Sequence, residues 1–171
     1  METNKRIVMI IAFEQFRDEE YSEPRSVFEK AGFAVTTASS KLGTATGKLG
    51  MKQKVDITLD QVKADDYAAV LFIGGQGSFD YYDDSTCHEI ARETLKQGKI
   101  LGAICAAPGI LARAGVLKGK KATMFDDTGE FKKSGATYTG KGVEIDGNII
   151  TATGPKTARA WGEAIVRALG D

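Results

Sequence analysis

Apolar residues occur along the chain in short unbroken runs, and each run is followed by a segment with helical spacing. The four clearest runs are "RIVMIIAF" (6–13), "AVTTAS" (34–39), "YAAVLFIGG" (67–75) and "KILGAI" (99–104). Unbroken runs of this length are typical of strands that are buried on both faces. Helices are predicted at 17–33, 85–97 and 106–114, with glycines at or near their ends. Ser85 is predicted as the N-cap of the second helix.

The remaining chain alternates between polar and apolar positions over shorter distances. This pattern predicts a hairpin-like excursion at 41–59, short strands near 137–138, 143–145 and 148–151, and a final helix at 157–169. Strands that alternate with helices indicate βαβ units. We therefore expect an α/β fold with a doubly wound, mostly parallel sheet and helices on both faces. A chain of 171 residues is long enough for one compact domain.

Composition and charge narrow the function classes. Lysine plus arginine and aspartate plus glutamate both number 23, and the basic residues are dispersed, which argues against nucleic acid as a partner. No apolar run reaches the roughly 18 to 20 residues of a membrane span, so no membrane partner is expected. The apolar run near the N-terminus has no cleavage site after it and predicts a buried strand rather than a signal peptide. The two cysteines have no metal-ligand spacing, so we expect no metal and a cytoplasmic protein.

Ligands of doubly wound sheets bind beyond the carboxyl ends of the strands, where three loops of this chain are informative. These are "FEQFRDEE" (13–20), "GGQGSFDYYDD" (74–84) and the junction at Cys105. The first loop is acidic and has no glycine, whereas a dinucleotide site needs a glycine-rich loop there. No cofactor is therefore expected. Tyr81 and Tyr82 are interpreted as packing or pocket-lining residues.

Cys105 stands where an apolar strand passes directly into a helix of small residues. A side chain at so sharp a turn points outward, and the small neighbours Gly102, Ala103, Ala106 and Ala107 avoid a collision in the bend. The pattern predicts a nucleophile elbow built around a thiol, whose pKa the start of the helix would lower. The alternative is a buried cysteine that only fills space at the end of a strand.

Two further features favour the reactive cysteine. The glycine pair after the run at 67–73 allows close backbone approach, so the N–H groups of Gly75 and Ala106 are predicted to form an oxyanion hole. An ordinary turn is the alternative for these glycines. Glu20 in the acidic loop is the candidate for a protonated carboxyl beside the sulfur, although such loops also carry solvated surface charges. His88, the single histidine, is predicted to lie in the first turn of a helix rather than to act as a base.

The sequence resembles the ThiJ/PfpI superfamily over nearly its whole length. The segments that carry the resemblance are "AGFAVTTAS" (31–39), "GKLGMKQKVDITLDQV" (47–62), "VLFIGGQGS" (70–78), "GKILGAICAAPGILARAGVLKGKKAT" (98–123) and "DGNIITATGPKTA" (146–158). The resemblance implies a flavodoxin-like fold in one domain spanning 1–171, assembled as a homodimer or a higher homo-oligomer. It also implies that Cys105 is the nucleophile, Glu20 the helix-borne acid, and Gly75 and Ala106 the backbone donors.

The chain departs from the superfamily's branches at two positions. The peptidase-like branch has a histidine directly after the cysteine, where this chain has Ala106. The DJ-like branch often has a histidine after the strand that follows the elbow, where this chain has Phe125 with Asp126 and Asp127 beside it. A histidine-dependent proton transfer would therefore need another group. The further pocket candidates are Gly74, Phe125, Asp126 and Pro155.

These observations lead to a cysteine-dependent enzyme that acts on small reactive aldehydes such as methylglyoxal, with glyoxalase-like or deglycase-like chemistry. The first alternative is a redox-sensing, stress-protective protein in which an oxidant converts Cys105 without a dedicated substrate. A hydratase or a peptidase-like member of the superfamily is a further alternative, because both would use the same cysteine. The sequence leaves open whether a second subunit completes the site.

Overall fold

The computed structural model describes residues 4–170, which form twelve strands and five α-helices. The strands are β1 (Arg6–Ile10), β2 (Glu14–Phe16), β3 (Ala34–Ser39), β4 (Gly43–Gly47), β5 (Lys52–Val55), β6 (Ile57–Thr58), β7 (Ala69–Phe72), β8 (Ile100–Ile104), β9 (Lys121–Ala122), β10 (Thr137–Tyr138), β11 (Val143–Asp146) and β12 (Ile149–Ala152). The helices are α1 (Asp18–Lys30), α2 (Ser85–Lys96), α3 (Pro108–Arg113), α4 (Glu130–Ser134) and α5 (Ala158–Ala168). Within residues 4–170, no helix is both long and apolar enough to cross a bilayer.

The central sheet has seven strands in the order β11-β12-β8-β7-β1-β3-β6. All neighbouring pairs are parallel except β11 with β12. The five strands β3, β1, β7, β8 and β12 give the order 2-1-3-4-5 when they are counted along the chain, which is the flavodoxin-like arrangement. The predicted doubly wound, mostly parallel fold is confirmed.

Residues of each central strand alternate between two hydrophobic cores, which explains why the runs in the sequence are unbroken. In β1, Val8 and Ile10 enter one core, and Ile7 and Met9 enter the other. The first core is covered by α2 and α3, and the second is covered by α1 and α5. Trp161 of α5 is fully buried, and its Nε1–H donates to the carbonyl oxygen of a residue in β12 at 2.9 Å. The prediction of helices on both faces is therefore also confirmed.

The predicted hairpin is present, and it joins a small sheet beside the central one. Strands β4 and β5 pair antiparallel, and β2 adds to β4. The strand predicted at 6–13 is therefore shorter in the structure: β1 ends at Ile10, and the chain then leaves the central sheet to form β2. The carbonyl oxygen of Phe13 already accepts from the N–H of Thr46 in β4, at 2.9 Å.

The start of α2 differs from the sequence prediction. Its N-cap is Asp84 and not Ser85, since Asp84 Oδ1 accepts a hydrogen bond from the N–H of Cys87 at 2.9 Å. Both residue types are good N-caps, so local sequence preference could not separate them. The difference leaves the remainder of α2 in the predicted place.

Candidate active site

The carboxyl ends of β1, β7 and β8 lie next to one another in the central sheet, and the loops after them form the site. Because the chain order reverses between β1 and β7, the loops after these two strands diverge and leave a crevice. Cys105 directly follows β8, and Gly74 and Gly75 follow β7. The N–H of Arg17 donates to the carbonyl oxygen of Gly74 at 2.9 Å, which fixes the start of α1 above the glycine pair.

Cys105 occupies a strained position at the end of β8. Its φ angle is +64°, in the left-handed region that residues other than glycine rarely adopt. A backbone in this region costs about 1–3 kcal/mol. Two backbone contacts hold this conformation: the Cys105 N–H donates to the carbonyl oxygen of Ala152 in β12 at 2.9 Å, and the Cys105 carbonyl accepts from the N–H of Phe125, in the loop after β9, at 2.8 Å. The sharp turn expected of a nucleophile elbow is therefore present.

Helix α3 begins at Pro108 and not at Ala106 as the sequence predicted. Ala106 and Ala107 form a turn in which the N–H of Ala107 donates to the Ile104 carbonyl at 3.0 Å. Proline is well suited to the first helical position, because it has no N–H to satisfy there. With only six residues, α3 starts three positions beyond the sulfur-bearing residue. Individual backbone amides, rather than a helix end, therefore act on Cys105.

The glycine pair allows two backbone segments to approach the sulfur closely. A Cβ on Gly74 would lie 2.5 Å from the Ile104 carbonyl oxygen and 2.7 Å from the Cys105 Cβ. Gly75 has a φ of +105°, and a Cβ there would lie 2.5 Å from the N atom of Arg17. The N–H groups of Gly75 and Ala106 both interact with the Cys105 sulfur and act to lower its pKa. Neither N–H donates to a carbonyl oxygen within residues 4–170.

Glu20 is fully buried beside the glycine pair. Its Oε1 lies 2.6 Å from the position that a Cβ on Gly74 would take. Neither of its carboxyl oxygens has a well-aligned hydrogen-bond partner within residues 4–170. Burial raises the pKa of Glu20 to about 7, although interactions with Cys105, the Arg17 charge and the Gly74 N–H oppose this change. Glu20 therefore holds its proton up to near-neutral pH, in line with its expected protonated state.

The predicted lowering of the Cys105 pKa is wrong. Burial raises the pKa of the Cys105 thiol to about 12, and the negative charge of the adjacent Glu20 carboxylate and its polar interaction with the thiol add to this effect. The amides of Ala106 and Gly75 act in the opposite direction but do not outweigh it. The sulfur thus rests as a thiol and needs a base when it reacts. Glu20 is the adjacent group that can accept a proton near pH 7.

The buried carboxyl makes a prediction about stability. Burial raises the pKa of Glu20 from 4.5 to about 7, so the folded protein binds this proton more tightly than the unfolded chain does. The resulting contribution to the free energy of unfolding is fully present below pH 4.5. That stability is lost as the pH rises to about 7, by ~3 kcal/mol. Glu20→Gln, which cannot ionise, should therefore gain up to that amount relative to wild type between pH 4.5 and 8. Denaturant unfolding of both proteins at these two pH values measures the change; a difference that is independent of pH would contradict it.

A cavity of about 310 Å³ lies above the Cys105–Glu20 pair. Seven of the predicted site residues line it: Glu20, Gly75, Cys105, Ala106, Phe125, Asp126 and Pro155. The eighth predicted site residue, Gly74, does not line the cavity but packs against Cys105 and Glu20. Further lining residues are Arg17, Lys48, Gln76, Phe79, Tyr82, Met124 and Thr128. The structure thus brings all the predicted residues to one place.

Sequence reasoning missed three side chains of this cavity that carry charge or large apolar area. Lys48 lies in the segment between β4 and β5. The local sequence predicts a hairpin there but does not indicate that this hairpin packs beside the Cys105 site. Arg17 could have been noticed, because it directly precedes the acidic residues at the start of α1. Phe79 lies in the loop after the glycine pair, where its apolar character was the available signal.

Tyr82 supports the turn that carries Ala106. Its hydroxyl donates to the Ala106 carbonyl oxygen at 2.5 Å, and its ring occupies the space that a side chain on Gly109 would need. His88 does not reach the cavity lining; its Nε2 lies 2.6 Å from the Tyr82 carbonyl oxygen. Within residues 4–170, no three histidine, cysteine, aspartate or glutamate side chains gather as metal ligands.

Comparison with known proteins agrees with this geometry. The model of the DJ-1/PfpI family matches residues 5–168. An uncharacterized protein of Methanocaldococcus jannaschii is 42% identical over 97% of this chain and 83% of its own. The protein named deglycase PfpI of Pyrococcus furiosus is 32% identical over 95% of this chain and 98% of its own. The crystal structure of a ThiJ/PfpI domain protein from Brachyspira murdochii has a TM-score of 0.95 and 31% identity, covering 98% of both chains.

Proposed function

This chain belongs to the DJ-1/PfpI family, and from that membership and its Cys105–Glu20 pair we propose that it is a cysteine-dependent enzyme acting on small reactive carbonyl compounds. The reaction is the conversion of methylglyoxal-type aldehydes to hydroxy acids, or the related removal of such aldehydes from the groups they have modified. The observation that carries the proposal is the strained cysteine, which lies in one cavity with a buried carboxyl of raised pKa. The name deglycase, given to the relative from Pyrococcus furiosus, supports the same substrate class.

The first step joins the sulfur to the aldehyde carbon. Ionised Glu20 accepts the thiol proton as the sulfur attacks, so that the buried thiol never has to ionise alone. A C–S bond forms, and the electron pair of the C=O π bond moves to the oxygen. The N–H groups of Gly75 and Ala106, which act on the sulfur in the free protein, stabilise the resulting oxyanion. Glu20 then gives the proton that it took from the thiol to the oxyanion, which yields a hemithioacetal and leaves Glu20 ionised for the next step.

The later steps move a proton between the two substrate carbons. Glu20 removes the hydrogen of the former aldehyde carbon, and a proton is returned to the neighbouring carbon, which leaves a thioester on Cys105. Water then hydrolyses the thioester, releases the hydroxy acid and restores the thiol. For methylglyoxal the balance is one aldehyde and one water consumed and one lactic acid formed, with no net change in redox state.

The redox-sensing alternative needs a thiolate at rest, because the thiolate is the form that oxidants attack. The raised pKa of Cys105 favours the enzyme, in which Glu20 takes the proton only during attack. The peptidase-like alternative lacks an imidazole beside the sulfur, since the single histidine, His88, bonds to the Tyr82 carbonyl outside the cavity. A hydratase would use the same pair and is distinguished by its product.

The direct test is to incubate the purified protein with methylglyoxal in the absence of glutathione and other thiols and to measure lactate. We expect lactate to form in proportion to enzyme and time, and methylglyoxal bound to a model thiol or amine to be released in parallel. Failure of both reactions, together with conversion of Cys105 to a sulfinic acid by mild peroxide while Cys87 remains unmodified, would favour the redox role instead.

A further inference from the structure

We propose that Phe79 and Phe125 make the cavity selective for carbonyl compounds with a ring-sized apolar substituent, such as aryl α-oxoaldehydes, over glyoxal and methylglyoxal. The identity of the reacting carbonyl rests on the proposed function, whereas the binding of the substituent does not. The two rings define a surface that we call the aromatic wall.

The aromatic wall is unusually exposed for side chains of this size. Phe79 is 53% exposed and Phe125 is 68% exposed, yet both line the cavity. Aromatic side chains contribute large apolar areas, and covering such an area is favourable by roughly 25 cal/mol per Å². A bound group that covers both rings would therefore gain affinity that a hydrogen or a methyl group cannot provide.

Both rings are attached to elements that hold the reacting residues. The Phe125 N–H donates to the Cys105 carbonyl, and its ring lies near Gly154: a Cβ there would be 3.8 Å from Phe125 Cδ2 and 3.9 Å from Glu20 Oε2. The Phe125 ring and the Glu20 carboxyl thus border the same small space. The Phe79 ring packs on Tyr82 with ring centroids 4.9 Å apart, and Tyr82 bonds to Ala106. A substituent on a carbonyl bound to Cys105 would meet these rings.

The size and remaining lining of the cavity support the same substrate class. A three-carbon aldehyde leaves most of about 310 Å³ to water, whereas an aryl group occupies much more of it. Met124 and Pro155 extend the apolar lining beside Phe125. Lys48 and Arg17 also reach the cavity, and they favour an acidic aldehyde such as glyoxylate as the competing possibility. Arg17 is already paired with Glu19 through two hydrogen bonds of 2.9 and 3.0 Å, which weakens its pull on a substrate anion.

The test measures alkylation of Cys105, so that it does not depend on turnover. Phenacyl bromide carries a phenyl ketone, and iodoacetamide carries only a small amide. With either reagent the sulfur forms a bond to the CH₂ carbon, the carbon–halogen bond breaks, the halide leaves with the electron pair, and the thiol proton passes to Glu20 or water. The quantity compared is the rate with phenacyl bromide divided by the rate with iodoacetamide, both followed by mass spectrometry. Dividing this ratio by the same ratio for N-acetylcysteine gives the selectivity that the protein adds.

We expect that selectivity to be about tenfold or more in the wild type. It should fall at least about threefold in Phe125→Ala and in Phe79→Ala. Leu42→Ala, which removes a side chain that is 59% exposed outside the cavity lining, should leave it unchanged. Turnover should show the same order, with phenylglyoxal giving a higher kcat/KM than methylglyoxal or glyoxylate.

Other outcomes would overturn the inference. These are a wild-type ratio equal to that of the free thiol, a ratio that survives both phenylalanine variants, or a preference for glyoxylate over phenylglyoxal. A ratio that falls only together with a change in oligomeric state, measured by light scattering, would assign the rings to contact with a second copy of the chain. If no aldehyde is turned over while the alkylation ratio behaves as expected, the proposed function fails and the selectivity of the cavity stands.

Discussion

Replacing Cys105 with serine should abolish the turnover of methylglyoxal, with a loss on the order of 10⁴-fold in kcat/KM. Serine fits the space of cysteine and should tolerate the same backbone turn, but its hydroxyl is a far poorer nucleophile than a thiol. The covalent adduct to the aldehyde carbon then does not form, and the proton transfers that follow it have no substrate. Lactate formation by the purified variant, compared with wild type at equal concentration, measures the loss.

Cys87 provides the matched control for this variant. It is fully buried on α2 in the core between the sheet and the helices, and burial raises the pKa of its thiol well above the ordinary value. Cys87→Ala should therefore lower stability but leave turnover by the folded protein close to wild type. Turnover by Cys105→Ser above a few per cent of wild type, or loss of activity only in Cys87→Ala, would contradict the assignment of the nucleophile.

Replacing Glu20 with glutamine should lower kcat by about 10²–10⁴-fold, the usual contribution of a positioned acid or base. Glutamine keeps the shape of the side chain but cannot accept the thiol proton or carry it between the substrate carbons. Among residues 4–170, Glu20 is the fully buried carboxyl that acts on the Cys105 thiol. Steady-state turnover of the aldehyde by wild type and the variant, across a range of pH, measures the effect.

The control is Glu23→Gln, which makes the same chemical change one turn further along α1 at an exposed position. We expect its turnover to match that of wild type. An unchanged kcat in Glu20→Gln would remove Glu20 from the reaction, and equal losses in the two variants would indicate a general effect of charge on α1.

The fold was predictable because the long-range arrangement follows from local pattern. Unbroken runs such as 67–75 mark strands that contribute to cores on both faces, and alternating strands and helices restrict the sheet to a few topologies. The two helix starts that were predicted at the wrong residue depend on local contacts that compete for the first turn of the helix. The choice of Asp84 over Ser85 as a cap and the late start of α3 at Pro108 are both of this kind.

The sequence was sufficient to predict which residues form the site but not to predict the pKa of the Cys105 thiol. Cys105, Gly75 and Glu20 follow adjacent strands or begin the next helix, so topology alone brings them together. The pKa of Cys105 depends instead on the balance between burial, the Glu20 charge and two amides, and that balance requires coordinates. Lys48 lines the cavity because its hairpin pairs with β2, far earlier in the chain: the Lys48 N–H donates to the Phe16 carbonyl oxygen at 2.8 Å.

The measurement that tests the central claim most directly is the rate of Cys105 alkylation by iodoacetamide as a function of pH, in wild type and in Glu20→Gln. If Glu20 accepts the thiol proton, the wild-type rate should rise through a midpoint near pH 7, where Glu20 ionises. The variant should lack this step and react appreciably only at higher pH, where the thiol itself ionises. The same midpoint in both proteins, or a wild-type midpoint near the ordinary thiol value of about 8.5, would contradict a reactive centre built from this pair.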